Sequence, residues 1–285
     1  MYYLGFDIGG SSIKAVLVKD KKIVKSKIID LPDSLDGLLA SLVELKQELA
    51  AGVEKEIGGA GFAVAGILNA ERSKMLKSPN IEFFDDQPLG ELFESIAVSY
   101  PIKIEHDACC FLLAEKKIGL AQELKNVFYL TVGTGVGGAF MVDGKIVSGA
   151  HGSAGEIGHA VIDIKDNFDL EDLSADDFVK KTLGVSAEEA EKLARSGDGK
   201  AKEVFVKRAK NLGIGMANLI NIFDPEAIII GGGIVSAKDL LLPGIRTAIE
   251  KYIISPEAKK TQILFSELGR FGGALGAALL FEAGN

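Results

Sequence analysis

The chain has 285 residues, 47% of them hydrophobic and 25% charged, an ordinary globular composition that excludes a disordered or fibrous chain. Its length is enough for two lobes as readily as for one large domain. A formal charge of -8 speaks against binding a nucleic-acid backbone, which needs clustered Lys and Arg, but not against one nucleotide held by amides and a metal ion. No apolar run reaches the roughly 18 residues of a membrane helix. The opening residues also lack a basic region and a long apolar stretch, so neither membrane insertion nor export is expected. Cys109 and Cys110 are adjacent, a poor geometry for bridging each other, and read as reduced, buried residues of a cytoplasmic protein.

Short β-rich runs open the chain at 3–8, 13–18 and 23–29, separated by Gly9-Gly10-Ser11-Ser12 and a charged turn at 19–22. They predict an antiparallel meander. A helical pattern follows from Leu35 to about Ala50, then a strand at 61–64, a helix from Leu89 to about Tyr100 and a strand at 102–105. This alternation predicts an α/β layer fold. A helix is then expected over 108–119, with Asp107 at its N-terminus.

A weak internal repeat organises what comes next. The string from Asp7 to Val18 is echoed from Thr131 to Val142, each copy being strand, glycine turn, strand, and each resuming after a polar turn with Lys-Ile-Val, at 22–24 and at 145–147. Two similar lobes are expected, each offering a glycine hairpin, with the junction near Asp107. Beyond the second hairpin, an acidic stretch at 163–177 reads as mostly solvated surface. Helical patterns follow at 186–195 and from Ala201 to about Phe223. A short buried strand at 227–230 runs into Gly231-Gly232-Gly233, and a closing small-residue helix begins at Gly272.

A turn without Cβ atoms lets a phosphate approach, and its successive N–H groups form an anion nest. Gly133-Thr134-Gly135-Val136-Gly137-Gly138 matches G-x-G-x-x-G, but that fingerprint must open a helix and here a strand follows; no P-loop string occurs. Taken singly, each glycine turn could equally be a tight hairpin and nothing more. The first carries more information, with Asp7 before it and Lys14 after it. Asp7 can orient magnesium or its waters, or simply cap the turn. Ser11 or Ser12 can bond a phosphate, and Lys14 adds charge or stands on the strand surface.

These residues resemble the ROK family of sugar kinases and repressors, within the wider actin, sugar kinase and Hsp70 superfamily. Asp7 to Lys14 looks like the family's first phosphate motif D-x-G-G-T-x-x-K, with Ser11 in the threonine position. Residues 131–138 resemble its second phosphate loop, 224–233 its adenosine segment, and Gly149-Ala150-His151-Gly152-Ser153-Ala154-Gly155-Glu156-Ile157-Gly158-His159 its signature. The resemblance implies an α/β, two-lobed actin-like ATPase (ribonuclease H-like) fold, with mixed β-sheets flanked by helices around a central cleft. Its lobes would be a smaller N-terminal one at 1–107, joined by the C-terminal helix 272–285, and a larger one at 108–271.

The implied activity is transfer of the γ-phosphate of ATP, with Mg2+, to a sugar hydroxyl, glucose at the 6-position first among hexoses, N-acetylhexosamines and fructose. Asp107 corresponds to the family's catalytic aspartate, a carboxylate accepting the hydroxyl proton; from the residues alone a helix N-cap is the simpler reading. ATP and phosphate contacts fall to Asp7, Gly9, Gly10, Ser11, Ser12, Lys14, Thr131, Gly133, Thr134, Gly135, Gly231, Gly232 and Gly233. Asp7 would hold magnesium through water. Sugar contacts fall to Asn80, His106, Asp107, Glu156, His159 and Glu171. Without the resemblance, Asn80 reads as a turn residue, and Glu156 with His159 as a surface ion pair or a core histidine.

Three departures matter. The family's C-x-C-G-x-x-G-C zinc segment is missing, 164–170 standing in its place, so a zinc-free protein is expected, in which His159 serves the sugar alone. His106 replaces the asparagine ahead of the catalytic aspartate, and Ala65 replaces the proline of V-P-G. A repressor would need a DNA-binding helix-turn-helix, for which Asp7 leaves no room; a catalytically silent sugar-binding protein remains the non-enzyme alternative. A homodimer or higher homo-oligomer, with no nucleic acid or membrane partner, completes the expectation.

Overall fold

In the computed structural model of the chain, residues 1–282 are described. The expected closing helix to 285 therefore runs, from 283 onward, outside the described residues. The chain divides into two compact units: the first takes Met1–Glu123, Ile146–Ala154 and the stretch from Glu267 on, the second Leu124–Lys145 and Gly155–Ser266.

The first unit opens with the expected meander, β1 (Tyr2–Ile8), β2 (Ser12–Lys19) and β3 (Lys22–Asp30). β1 is almost wholly buried, while β3 is largely exposed and carries Lys22, Lys25 and Lys27, charges that blunt an open sheet edge. Helix α1 (Leu35–Ala50) starts where the Ser34 side chain accepts from the Gly37 amide, and it buries Leu38, Leu42, Leu45 and Leu49 as one stripe. Next come β4 (Ile57–Val64), a small ribbon of β5 (Ile67–Leu68) and β6 (Met75–Lys77), α2 (Leu89–Ala97), β7 (Ile102–His106) and α3 (Asp107–Ile118). The sheet order is β3-β2-β1-β4-β7, with β1, β4 and β7 parallel. Phe6, Phe62 and Phe93 stack in its core.

The second unit repeats the plan. It contains β8 (Val127–Val132), β9 (Val136–Val142), β10 (Lys145–Ile146), the ribbon β11 (Val161–Asp163) and β12 (Phe168–Asp169), α4 (Asp176–Leu183), α5 (Ala187–Ser196), α6 (Gly199–Phe223), β13 (Ala227–Gly231), α7 (Lys238–Tyr252) and β14 (Gln262–Phe265). Its sheet order is β10-β9-β8-β13-β14, antiparallel at β8–β9 and parallel at β8–β13 and β13–β14. This is the same order as the first sheet, with the same sense at those three pairings, so the repeat read in the sequence is a repeat of topology.

The chain ends with α8 (Gly272–Leu279), which belongs to the first unit and packs on β1, β4 and α3. A Cβ at Gly5 would overlap the carbonyl oxygen of Ala274, and one at Gly61 that of Ala277, so both glycines let the helix backbone lie directly on the strands. The helix returns the favour at Gly276, against the Cys110 carbonyl. This contact explains a boundary that differs from the sequence reading. That reading ended the N-terminal lobe at 107, whereas α3 is fastened to α8 and the first unit runs on to Glu123. The acidic stretch 163–177 lies mostly at the surface, as expected, with Leu170, Ser174 and Ala175 buried within it.

Candidate active site

In the first unit the glycine turn is a tight hairpin: Asp7 pairs with Lys14 and Ile8 with Ile13, and the Gly9 amide donates to the Ser12 carbonyl at 3.1 Å. Among the described residues, no acceptor meets the amides of Gly10 and Ser11. Asp7 is 3% exposed, with Lys14 Nζ 3.6 Å from its carboxylate. Burial pushes its pKa from an ordinary 3.8 up to about 6, with Lys14 opposing and Asp107 adding repulsion. Gly273 at the start of α8 is what admits this carboxylate, since a Cβ there would stand 2.9 Å from it. Asn80 is brought to the same place. A Cβ on Gly10 would lie 2.6 Å from that of Asn80, and the turn holding Asn80 is pinned by Ser78, which donates its amide to Asp85 (2.7 Å) and its hydroxyl to the Ala65 carbonyl (3.0 Å).

Asp107 is the first residue of α3, directly after β7. Its Oδ1 accepts from the Ala108 amide at 2.7 Å and lies 3.3 Å from His106 Nε2. The cap leaves the carboxylate half-buried and partly open, because one oxygen serves the helix and the other does not. Behind them, Glu105 receives both the His106 amide (2.8 Å) and Arg72 Nε (2.8 Å), and Arg72 reaches on to the Gly152 carbonyl (2.8 Å). β1 and β7 flank β4, so Asp7 and Asp107 emerge two strand spacings apart, about 10 Å, at the same end of a parallel trio.

In the second unit, two glycine segments meet where β8 and β13 end side by side. Thr131 pairs with Gly231 across the parallel ladder. Gly232, at φ +86, can stand against the Val132 backbone only as glycine, and the Gly233 amide lies next to Gly133. The Gly133 amide donates to the Gly135 carbonyl at 3.0 Å, while those of Thr134 and Gly135 meet no acceptor among the described residues. Glu171 is brought here too: its Oε2 accepts from the Val136 amide at 2.6 Å, and any side chain at Gly135 would strike it. One oxygen of this carboxylate therefore braces the loop rather than standing free for a ligand.

The signature string is built around close approach to β9. Gly155, at φ +108, lies on the Gly138 carbonyl and Gly158 on the Val136 carbonyl, with no space for a Cβ at either. Glu156 precedes a 3-10 turn at Ile157–His159, which sets it beside His159. His159 Nδ1 lies 3.1 Å from Asp169 on β12, and that bond, ahead of Glu171 and Glu156, raises the imidazole pKa. The ring is half exposed, so Nε2 can face a ligand.

Magnesium takes a few carboxylates together with water and phosphate oxygens. Asp7 fits that role: its carboxylate is buried, Lys14 is its one ion-pair partner among the described residues, and it flanks amides suited to phosphate. Among the described residues, no group of three or more His, Cys, Asp or Glu is arranged to hold a metal ion. In place of the family's zinc segment stand β11, β12 and the turn joining them, with His159 bonded to Asp169.

Sequence reasoning missed Glu105, Arg72 and Asp169, which bond to candidate residues or to one another; only their charge marked them. No helix among the described residues is long and apolar enough to cross a membrane.

Comparison with known proteins agrees with this architecture. The chain is 28% identical to a glucokinase of Streptomyces coelicolor, over 96% of both chains, and 30% identical to an N-acetyl-D-glucosamine kinase of Vibrio parahaemolyticus, over 98% of this chain and 99% of that one. Its fold matches a ROK family glucokinase from Streptomyces griseus, solved in complex with glucose and AMPPNP, with a TM-score of 0.89, 26% identity and full coverage of both chains. The fold is therefore the actin-like ATPase fold. The sequence profile of the ROK family matches residues 3–283, and the chain belongs to that family.

Proposed function

We propose that this protein transfers the γ-phosphate of ATP to a hydroxyl of a hexose, glucose at its 6-position first, with Asp107 as the base. The observation that carries the reading is the shared end of β1, β4 and β7, where Asp7, Lys14 and the unpaired amides of Gly10 and Ser11 stand with Asp107. Ligands of parallel sheets bind at that end of the strands. Phosphoryl transfer needs positioning and charge neutralisation, here from the glycine loop of the first unit, Lys14 and a magnesium ion held by Asp7 through water. A positioned carboxylate adds about 10²- to 10⁴-fold by taking the hydroxyl proton. The kinase relatives and the AMPPNP-bound glucokinase structure support the reading.

Asn80, His106, Glu156 and His159 supply donors and acceptors for sugar hydroxyls, as does the oxygen of Glu171 that the Val136 amide leaves free. A second reading, an N-acetylhexosamine, is favoured by His106, whose imidazole borders Asp107 where the family has an asparagine. The reading includes a cytoplasmic homo-oligomer. A coupled ADP-release assay with ATP and Mg2+, across glucose, mannose, fructose, N-acetylglucosamine and N-acetylmannosamine, tests it. Sugar-dependent release is expected, strongest with glucose. Sugar binding without release for any of them would replace the kinase by a silent sugar-binding protein.

A further inference from the structure

The braced glycine loop of the second unit is held from below by a charge that no step of phosphoryl transfer uses. Arg208 on α6 is 2% exposed. Its Nε donates to the Ser174 carbonyl at 2.6 Å and its Nη2 to Asp176 Oδ1 at 2.7 Å. Three residues along the same helix, Asn211 donates its side-chain amide to the Leu173 carbonyl at 3.0 Å. Residues 171–176 are thus tethered to α6 by two side chains. The same residues grip the loop at both ends: the Asp176 amide donates to the Gly133 carbonyl at 2.8 Å, and Glu171 accepts from the Val136 amide. The residues between these grips, Thr134 and Gly135, present the unpaired amides.

We propose that Arg208 is a positioning residue for this loop, fixing residues 171–176 so that the amides of Thr134 and Gly135 are held ready for a phosphate. The inference rests on the nucleotide reading above. A buried ion pair gives little net stability compared with a well-packed apolar residue, and its better-attested use is to select one conformation. Arg208 carries the full cost of burial, which also lowers its pKa, and each of its bonds ends on the segment that holds the loop. An apolar side chain could fill the space but could not hold the Ser174 carbonyl and the Asp176 carboxylate in fixed directions. Preorganised donors need no reorganisation when the anion arrives, so a loosened loop is paid for in nucleotide binding.

The test uses the full chain with Arg208→Met and Arg208→Lys. Arg208→Met is expected to raise the KM for ATP and the AMPPNP dissociation constant about tenfold, leaving the KM for sugar within about twofold. Arg208→Lys, able to reach one of the two acceptors, falls between. A folded Arg208→Met with wild-type nucleotide affinity, whatever its melting temperature, would overturn the proposal. If Arg208→Met does not fold, Asn211→Ala cuts the other tether and carries the test: weaker AMPPNP binding supports the proposal and unchanged binding overturns it. If the wild type binds no AMPPNP, the nucleotide reading itself fails. Amide exchange of residues 133–136 without ligand then decides: faster exchange in the variant supports the role of Arg208, and equal exchange overturns it.

Discussion

Asp107 caps a helix and, in the proposed function, also serves as the base. Its Oδ1 caps α3 through the Ala108 amide, and an asparagine oxygen can accept the same bond. Asp107→Asn should therefore fold as the wild type does, bind AMPPNP and sugar within about threefold, and lose at least about 10²-fold in kcat; near wild-type turnover would reassign the base. Asp7 makes a prediction with a sign. Its pKa is raised from 3.8 to about 6, so the folded protein binds its proton more tightly than the unfolded chain. The stability belonging to the protonated form is complete below 3.8 and is lost as pH rises through about 6. At pH 8 the buried charge costs about 3 kcal/mol, at about 1.4 kcal/mol per unit. Asp7→Asn should accordingly be more stable than wild type by about that amount in urea melts at pH 8, should converge with it near pH 4, and should be inactive. An equal gain at both pH values would mean that burial does not set this carboxylate.

Among the elements, the β11–β12 ribbon stands where the family carries a zinc segment, and the His159 imidazole is tied to Asp169 on it. A hydrogen bond to a carboxylate can fix the ring's orientation as a metal ligand bond would, leaving the other nitrogen outward. We expect metal analysis of the purified protein to find no stoichiometric zinc, and a zinc chelator to leave the melting temperature unchanged. One zinc per chain would refute this. The glycine hairpins behave as elements rather than as isolated turns. The first is supported by Asn80 and α8, the second by residues 171–176, and in both the free amides lie between anchored neighbours.

At the scale of the whole chain, the last helix completes the first unit, beginning 264 residues after the end of β1 and 208 after the end of β4, the strands it covers. Gly5 and Gly61 make that closure possible by letting the α8 backbone touch β1 and β4. Gly61→Ala places a methyl group on the Ala277 carbonyl, and overpacking of this kind costs about 2 kcal/mol or more. Urea melts should show that loss, and a variant as stable as wild type would mean that α8 lifts from the sheet freely. Strand–turn–strand patterning, the duplicated hairpin and the glycine turns were legible in the sequence because they depend on local periodicity and on residues that tolerate unusual backbone. The strands β1 to β4, the helices α1, α3 and α6, and the repeat could be read for that reason. α7 was not, since Pro243 lies inside it, and β14 is only four residues long. The sequence by itself determined which residues are on offer: two glycine hairpins, Asp107 after a strand, and two adjacent cysteines far from His159. Only the tertiary structure decided that Glu171 braces a loop, that Asp169 holds His159, that Arg208 lies buried beneath residues 171–176, and that α3 belongs with α8. Each of those facts joins residues distant in sequence through a single hydrogen bond or a close backbone contact, which no local pattern encodes.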